Sequence, residues 1–128
     1  MANNIYKDQH MQVTTWTNGT GSAVSSGDIV VLGSAGDAIL AVALVDIAAG
    51  ASGSVGYNCG VTAPKVSGAV FKQGESLNWD VSAGAFDDNQ ATAATGDVSG
   101  SAARADADGA NGETTASVWL TGVPGTLT

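Results

Sequence analysis

The chain has 128 residues, enough for one modest domain, and alanine supplies much of its 44% hydrophobic content. Four Lys and Arg stand against 12 Asp and Glu, a net charge of −8, which excludes the clustered cations that nucleic acid needs and disfavours anionic membranes. One cysteine, Cys59, excludes an internal disulfide and a multi-cysteine zinc site. Large apolar side chains are sparse, so a lone monomer is expected to have a thin core. Oligomerisation or a partner surface commonly completes such cores.

Residues 1–12 are polar and unpatterned and read as an N-terminal arm. The arm has no apolar h-region, so synthesis in the cytoplasm is expected. Thr, Val and Trp cluster at Gln12–Thr17, a strand signal. Turn chemistry fills 17–28, and "IVVL" (29–32) reads as a short buried strand. "AILAVALV" (38–45) is apolar all round, so periodicity leaves helix and buried strand open, and it is too short to span a bilayer. Residues 55–66 look extended, with Pro64 at a strand end.

Leu77, Trp79 and Val81 alternate with Asn78 and Asp80, the period of a half-buried strand. Residues 83–100 form a long connection of small and polar residues. In 101–108, Ala103, Ala105 and Ala107 share one face. In 114–122, Ala116, Val118 and Leu120 face one way and Thr115, Ser117 and Trp119 the other. The reading is a single β domain over 13–122, followed by a C-terminal tail, 123–128.

Two segments resemble each other. Gly27-Asp28 and Gly74-Glu75 each lead into a strand and a glycine turn, with an offset of 74 − 27 = 47. Asp46 and Asp106 each precede a small turn and another strand, with an offset of 106 − 46 = 60. The difference of 60 − 47 = 13 places an insertion in the second copy, inside 84–100. The repeat equates "VALVD" with the alternating "ARAD", which favours strand over helix for 38–45 despite alanine's helix propensity. The fold class is therefore mainly β: a small barrel or sandwich of two loosely repeated strand–turn–strand halves, with few or no long helices.

Catalytic and cofactor motifs fail on their chemistry. "GASGSVGYN" has the glycines of a phosphate loop, but Tyr57-Asn58 stand where Lys and Ser/Thr are needed. No G-x-S-x-G elbow occurs, and His10 is the only histidine. "DADGANGE" (106–113) resembles a calcium loop, but Ala110 occupies a ligand position, and a polar turn explains it better. No catalytic, cofactor-binding or metal-binding residue is assigned, and no enzyme is expected. Trp119, facing away from Val118 and Leu120, is the candidate for a second buried face or a subunit interface.

Five segments in order resemble the small tailed-phage capsid decoration, or cement, proteins: "SGDIVV" (26–31), "ALVDIAAGASGSV" (43–55), "GVTAPK" (60–65), "QGESLNWD" (73–80) and "ASVWLTG" (116–122). The resemblance covers roughly residues 12–122. Some relatives carry recombinase labels, which the missing phosphate-loop lysine and the acidic charge contradict. The resemblance implies a structural virion protein without cofactors that binds the outer surface of an assembled capsid and stabilises it. Its implied partners are the major capsid protein and copies of itself, with a trimer favoured over a dimer, and neither nucleic acid nor membrane. The arm is expected to add a strand to a capsid sheet edge, anchored by Ile5, Tyr6 and Met11. The alternative is a glycan- or receptor-binding β module using Trp16 or Trp119.

Overall fold

β-Branched and small residues in short alternating runs, punctuated by glycine turns, produce strands and no helix among the described residues. The structure is a computed structural model and describes residues 2–128. Its strands are β1 (Ile5–Lys7), β2 (Gln12–Thr17), β3 (Ile29–Ser34), β4 (Asp37–Ala43), β5 (Ser52–Tyr57), β6 (Cys59–Pro64), β7 (Leu77–Asp80), β8 (Ala85–Asp88), β9 (Val98–Ser99), β10 (Ala103–Ala105), β11 (Thr115–Leu120) and β12 (Gly125–Leu127).

They form a four-stranded sheet, β1-β6-β11-β10, and an eight-stranded sheet, β2-β5-β4-β12-β9-β7-β8, with β3 attached to β4. The strands pair antiparallel, and the larger sheet curls into a half-barrel. The main core lies inside the curl. Leu40 and Val42 of β4 meet Val61, Leu77, Trp79, Val118 and Leu120, and Phe86 packs on Trp79 with ring centroids 4.9 Å apart. Truncating a buried aromatic of this kind costs about 3–5 kcal/mol. A second, smaller cluster lies on the other face of the first half: Val30, Ala41, Ala43, Ile47 and Val55, with Trp16, Val24, Leu32 and Tyr57 half-buried over it.

The repeat is written in the hydrogen bonds. Gly27 N–H donates to Ala43 O at 2.7 Å, and Gly74 N–H to Ala105 O at 2.8 Å. Both glycines sit at positive φ, +96° and +95°, where other residues are strained. The side chains of Asp28 and Glu75 accept from the N–H three residues before them, Ser25 and Lys72. Val24 bridges Ile47, and Phe71 bridges Gly109. The halves are therefore β2-β3-β4-β5 and β6-β7-β10-β11.

This register corrects one detail of the sequence alignment. Asp46 accepts the Ser26 N–H at 2.8 Å, and Asp108 accepts the Gln73 N–H at 2.8 Å. Asp46 thus corresponds to Asp108, not Asp106, and the offset becomes 108 − 46 = 62. The insertion is 62 − 47 = 15 residues long and supplies β8, which pairs along β7. The alternation of "ADAD" offers two aspartates at equivalent spacing, so the sequence alone selects the wrong one.

Both chain ends differ from their expected roles. Residues 5–7 are not an unpatterned arm but a strand on β6, with Ile5 opposite Val61. Residues 123–128 are not a tail. β12 lies between β4 and β9 and joins the two halves of the larger sheet. Three-residue strands are too short to show a period, which is why neither is visible in the sequence.

Candidate binding surface

Cross-strand partners share a face of a sheet. Arg104 pairs with Trp119, and Trp119 with Gly60, so these three lie on the outer face of the four-stranded sheet. Their neighbours Ala103, Ala105, Val118 and Leu120 fill the core. The Tyr6 ring covers Gly60, where a Cβ would come within 2.9 Å of Cζ. The Arg104 guanidinium sits 5.6 Å from the Trp119 ring centroid, in cation–π range.

Asp106 ties this face together. The Tyr6 hydroxyl and Lys7 Nζ both donate to its Oδ2 at 2.8 Å, and Arg104 lies 3.8 Å from Oδ1. The Lys7 hydrogen bond, with help from Tyr6 and both cations, holds the Asp106 carboxyl below its ordinary range against the effect of burial. Burial and the Asp106 hydrogen bond push the Tyr6 phenol well above its ordinary value, so it stays a donor. Two of the chain's four cations therefore meet at one aromatic patch in a molecule of charge −8. Beside it, Tyr6, Lys7, His10 and Trp119 line a recess of about 390 Å³.

The structure thus brings together two of the four residues singled out in the sequence, Tyr6 and Trp119. Ile5 and Met11 lie elsewhere: both are half-buried against the main core, and Met11 packs over Gly56. Arg104 and Lys7 have no role in the sequence reading, and Asp106 enters it only as a repeat marker and as the start of the polar turn 106–113. The signal was present, since Arg104 and Asp106 alternate with buried alanines. Trp16 lies in the other sheet, over the second cluster, so it and Trp119 do not form one platform.

The acids of 106–113 do separate work. Asp106 binds Lys7 and Tyr6, Asp108 receives Gln73 N–H and faces Lys72, and Glu113 caps the Ala110 N–H. Among the described residues, no three His, Cys, Asp or Glu side chains group as a metal site. What the outer face offers is aromatic area with fixed cations, the composition of a protein-contact patch.

The family model described as phage cement protein matches residues 8–120 of the chain. The chain belongs to the phage cement protein family. That match spans both halves of the fold, from the segment before β2 to the end of β11. No curated protein matches the chain. A cement protein has a structural role associated with the phage capsid, and the family is not an enzyme class.

Proposed function

We propose that this cement protein binds the outer surface of an assembled capsid and stabilises it, with the Tyr6–Trp119–Arg104 patch as a contact surface. The observation that carries the reading is the convergence of exposed Tyr6, half-buried Trp119 and two of four cations on one sheet face of an acidic chain. Interface hot spots are enriched in Trp, Tyr and Arg. A protein that binds only the assembled lattice stabilises that lattice by mass action. Many copies across subunit seams multiply the effect. The occupied partner is the major capsid protein, and the cement protein itself acts as a homo-oligomer, a trimer in preference to a dimer, matching a local symmetry axis.

Of the residues assigned to the arm, Tyr6 is the one that presents its ring to a partner. Ile5 and Met11 act by fastening β1 and the segment after it to the domain. The test is co-sedimentation with undecorated capsids. Trp119→Ala is expected to weaken binding by tenfold or more, about 1.4 kcal/mol, while leaving the melting midpoint near that of wild type; Tyr6→Ala is expected to weaken binding as much and, because Tyr6 also ties β1 to Asp106, to lower the midpoint. Wild-type binding that neither variant reduces would move the contact to another face. Failure of the wild type to bind capsids, with saccharide binding instead, would favour the glycan-binding module.

A further inference from the structure

β3 is an open edge. Among the described residues it pairs with β4 alone. Ala43 N–H donates to Asp28 O, and the antiparallel alternation continues through Val30/Ala41 and Leu32/Ile39. The peptide groups of Ile29, Val31 and Gly33 therefore point away from β4, with no strand to receive them.

The internal repeat shows what such an edge holds. β7 is the counterpart of β3 in the second half, and its outer edge is filled. The inserted strand β8 pairs along it, Asn78 with Asp87 and Asp80 with Ala85, and brings Phe86 into the core. The first half has no such insertion. In its place a groove of about 970 Å³ runs along β3, walled on one side by Ile29 and Val31 and on the other by Trp79, Val81 and Leu127. Asn4 lines the same groove. Its Nδ2 donates to Gly27 O and Thr62 O, while its buried Oδ1 has no donor.

We infer that this groove accepts one extended segment of the capsid protein as an added strand on β3, the place that β8 fills in the other half. This rests on the capsid-binding reading above. β3 is six residues long, so the segment is about 20 Å of extended chain. Apolar side chains at alternate positions face Val31 and Trp79, and backbone N–H groups meet the free carbonyls. Among the described residues Asp28 is the only charged side chain lining the groove, so a Lys or Arg near one end of the segment is favoured and acids are not.

Among the described residues, none of this chain supplies the strand. Its twelve strands are placed within its own sheets, and the loops between them are held by their own backbone hydrogen bonds. A second copy docking through its own β3 brings β4 with it, two strands into a groove with the volume of one.

Two variants close the groove in different ways. Val31→Pro removes an outward N–H that the β3–β4 ladder does not use, a change edge strands tolerate. Val81→Arg adds bulk on the opposite wall at an exposed position outside the core. Each is expected to weaken co-sedimentation with undecorated capsids by tenfold or more with an unchanged melting midpoint. If Val31→Pro does not fold, Val81→Arg decides. Hydrogen exchange of residues 29–34 is expected to slow on the capsid. Wild-type binding by Val81→Arg, or exchange at 29–34 as fast on the capsid as off it, overturns the inference. A fall in the mass of the free protein on either substitution assigns the groove to a second copy and overturns it too. Failure of wild type itself to bind capsids rejects the capsid reading instead.

Discussion

Asn18 and Lys65 occupy the same position in the two halves, 65 − 18 = 47 residues apart, and hold equivalent turns with different chemistry. Each directly follows the first strand of its half, β2 or β6. Asn18 is fully buried, and its Nδ2 donates to Ser22 O at 2.7 Å and Ile47 O at 3.0 Å. Lys65 is buried as well, and its Nζ donates to Val66 O at 2.9 Å and Glu113 O at 3.1 Å. The carbonyls of each turn converge inward and require an internal donor.

Removing either donor takes these hydrogen bonds away from the turn, although Ile47 O keeps the Val24 N–H and Val66 O keeps the Ala69 N–H. Asn18→Ala and Lys65→Met are each expected to lower unfolding free energy by about 1–3 kcal/mol. Urea denaturation measures it. Lys65→Met retains most of the apolar stem, so a loss there isolates the hydrogen bonds from the packing. A neutral result for both would mean that water reaches these turns.

The two bridges trade volume. Val24 faces Ile47 in one half, and Phe71 faces Gly109 in the other. The Phe71 ring lies so close to Gly109 that an added Cβ would fall 2.4 Å from Cζ. Gly109→Ala is therefore expected to destabilise by about 1–3 kcal/mol through overpacking. Phe71→Val with Gly109→Ile reproduces the other half's pair and should cost less than the sum of its single changes. A double-mutant cycle from denaturation curves reads the coupling, and additive costs would refute the exchange.

Where the fold was legible, side-chain period made it so. β11 alternates cleanly, with Val118 and Leu120 in the core and Trp119 outward, whereas β7 ends at Asp80, buries Asn78 along with Leu77 and Trp79, and leaves Val81 exposed, against the expected alternation. β4 buries Leu40 and Val42 on one face and Ala41 and Ala43 on the other, which is why its sequence is apolar throughout and shows no period. β1, β8, β9 and β12 are two to four residues long and carry no pattern of their own. Their pairing depends on partners distant in sequence. The patch was half legible: Trp119 broke the alternation of its strand, whereas Tyr6 acquires its role from Asp106, 100 residues away.

Cys59 lies in the main core opposite Leu120, and burial, aided by the charge of Asp8, pushes its thiol up to about 11. The thiolate is the reactive form. At pH 8 the folded protein is expected to resist a thiol-specific disulfide reagent for as long as it stays folded, and the urea-unfolded chain to react at once. Prompt labelling of the native protein would show that the β6–β11 region opens readily.

Asp106 makes the outer patch acid-sensitive. Its carboxyl is held below the ordinary value, first by the Lys7 hydrogen bond. A carboxylate with a depressed folded-state value contributes its full stability above the unfolded value of about 3.9, and that contribution disappears as the pH falls through the lower folded value. The attachment of β1 is therefore expected to be constant from pH 7 to about 5 and to loosen below about 4. Asp106→Asn carries no charge at any of these pH values, so its melting midpoint should lie below wild type at pH 7. The two midpoints should converge as the pH falls below the unfolded value of about 3.9 and through the lower folded value, where wild type also loses the charge. Melting curves at stepped pH test this. A constant gap between the two proteins down to pH 2.5 would show that the Asp106 charge does not fasten the strand, leaving Tyr6 and Ile5 to hold it by packing.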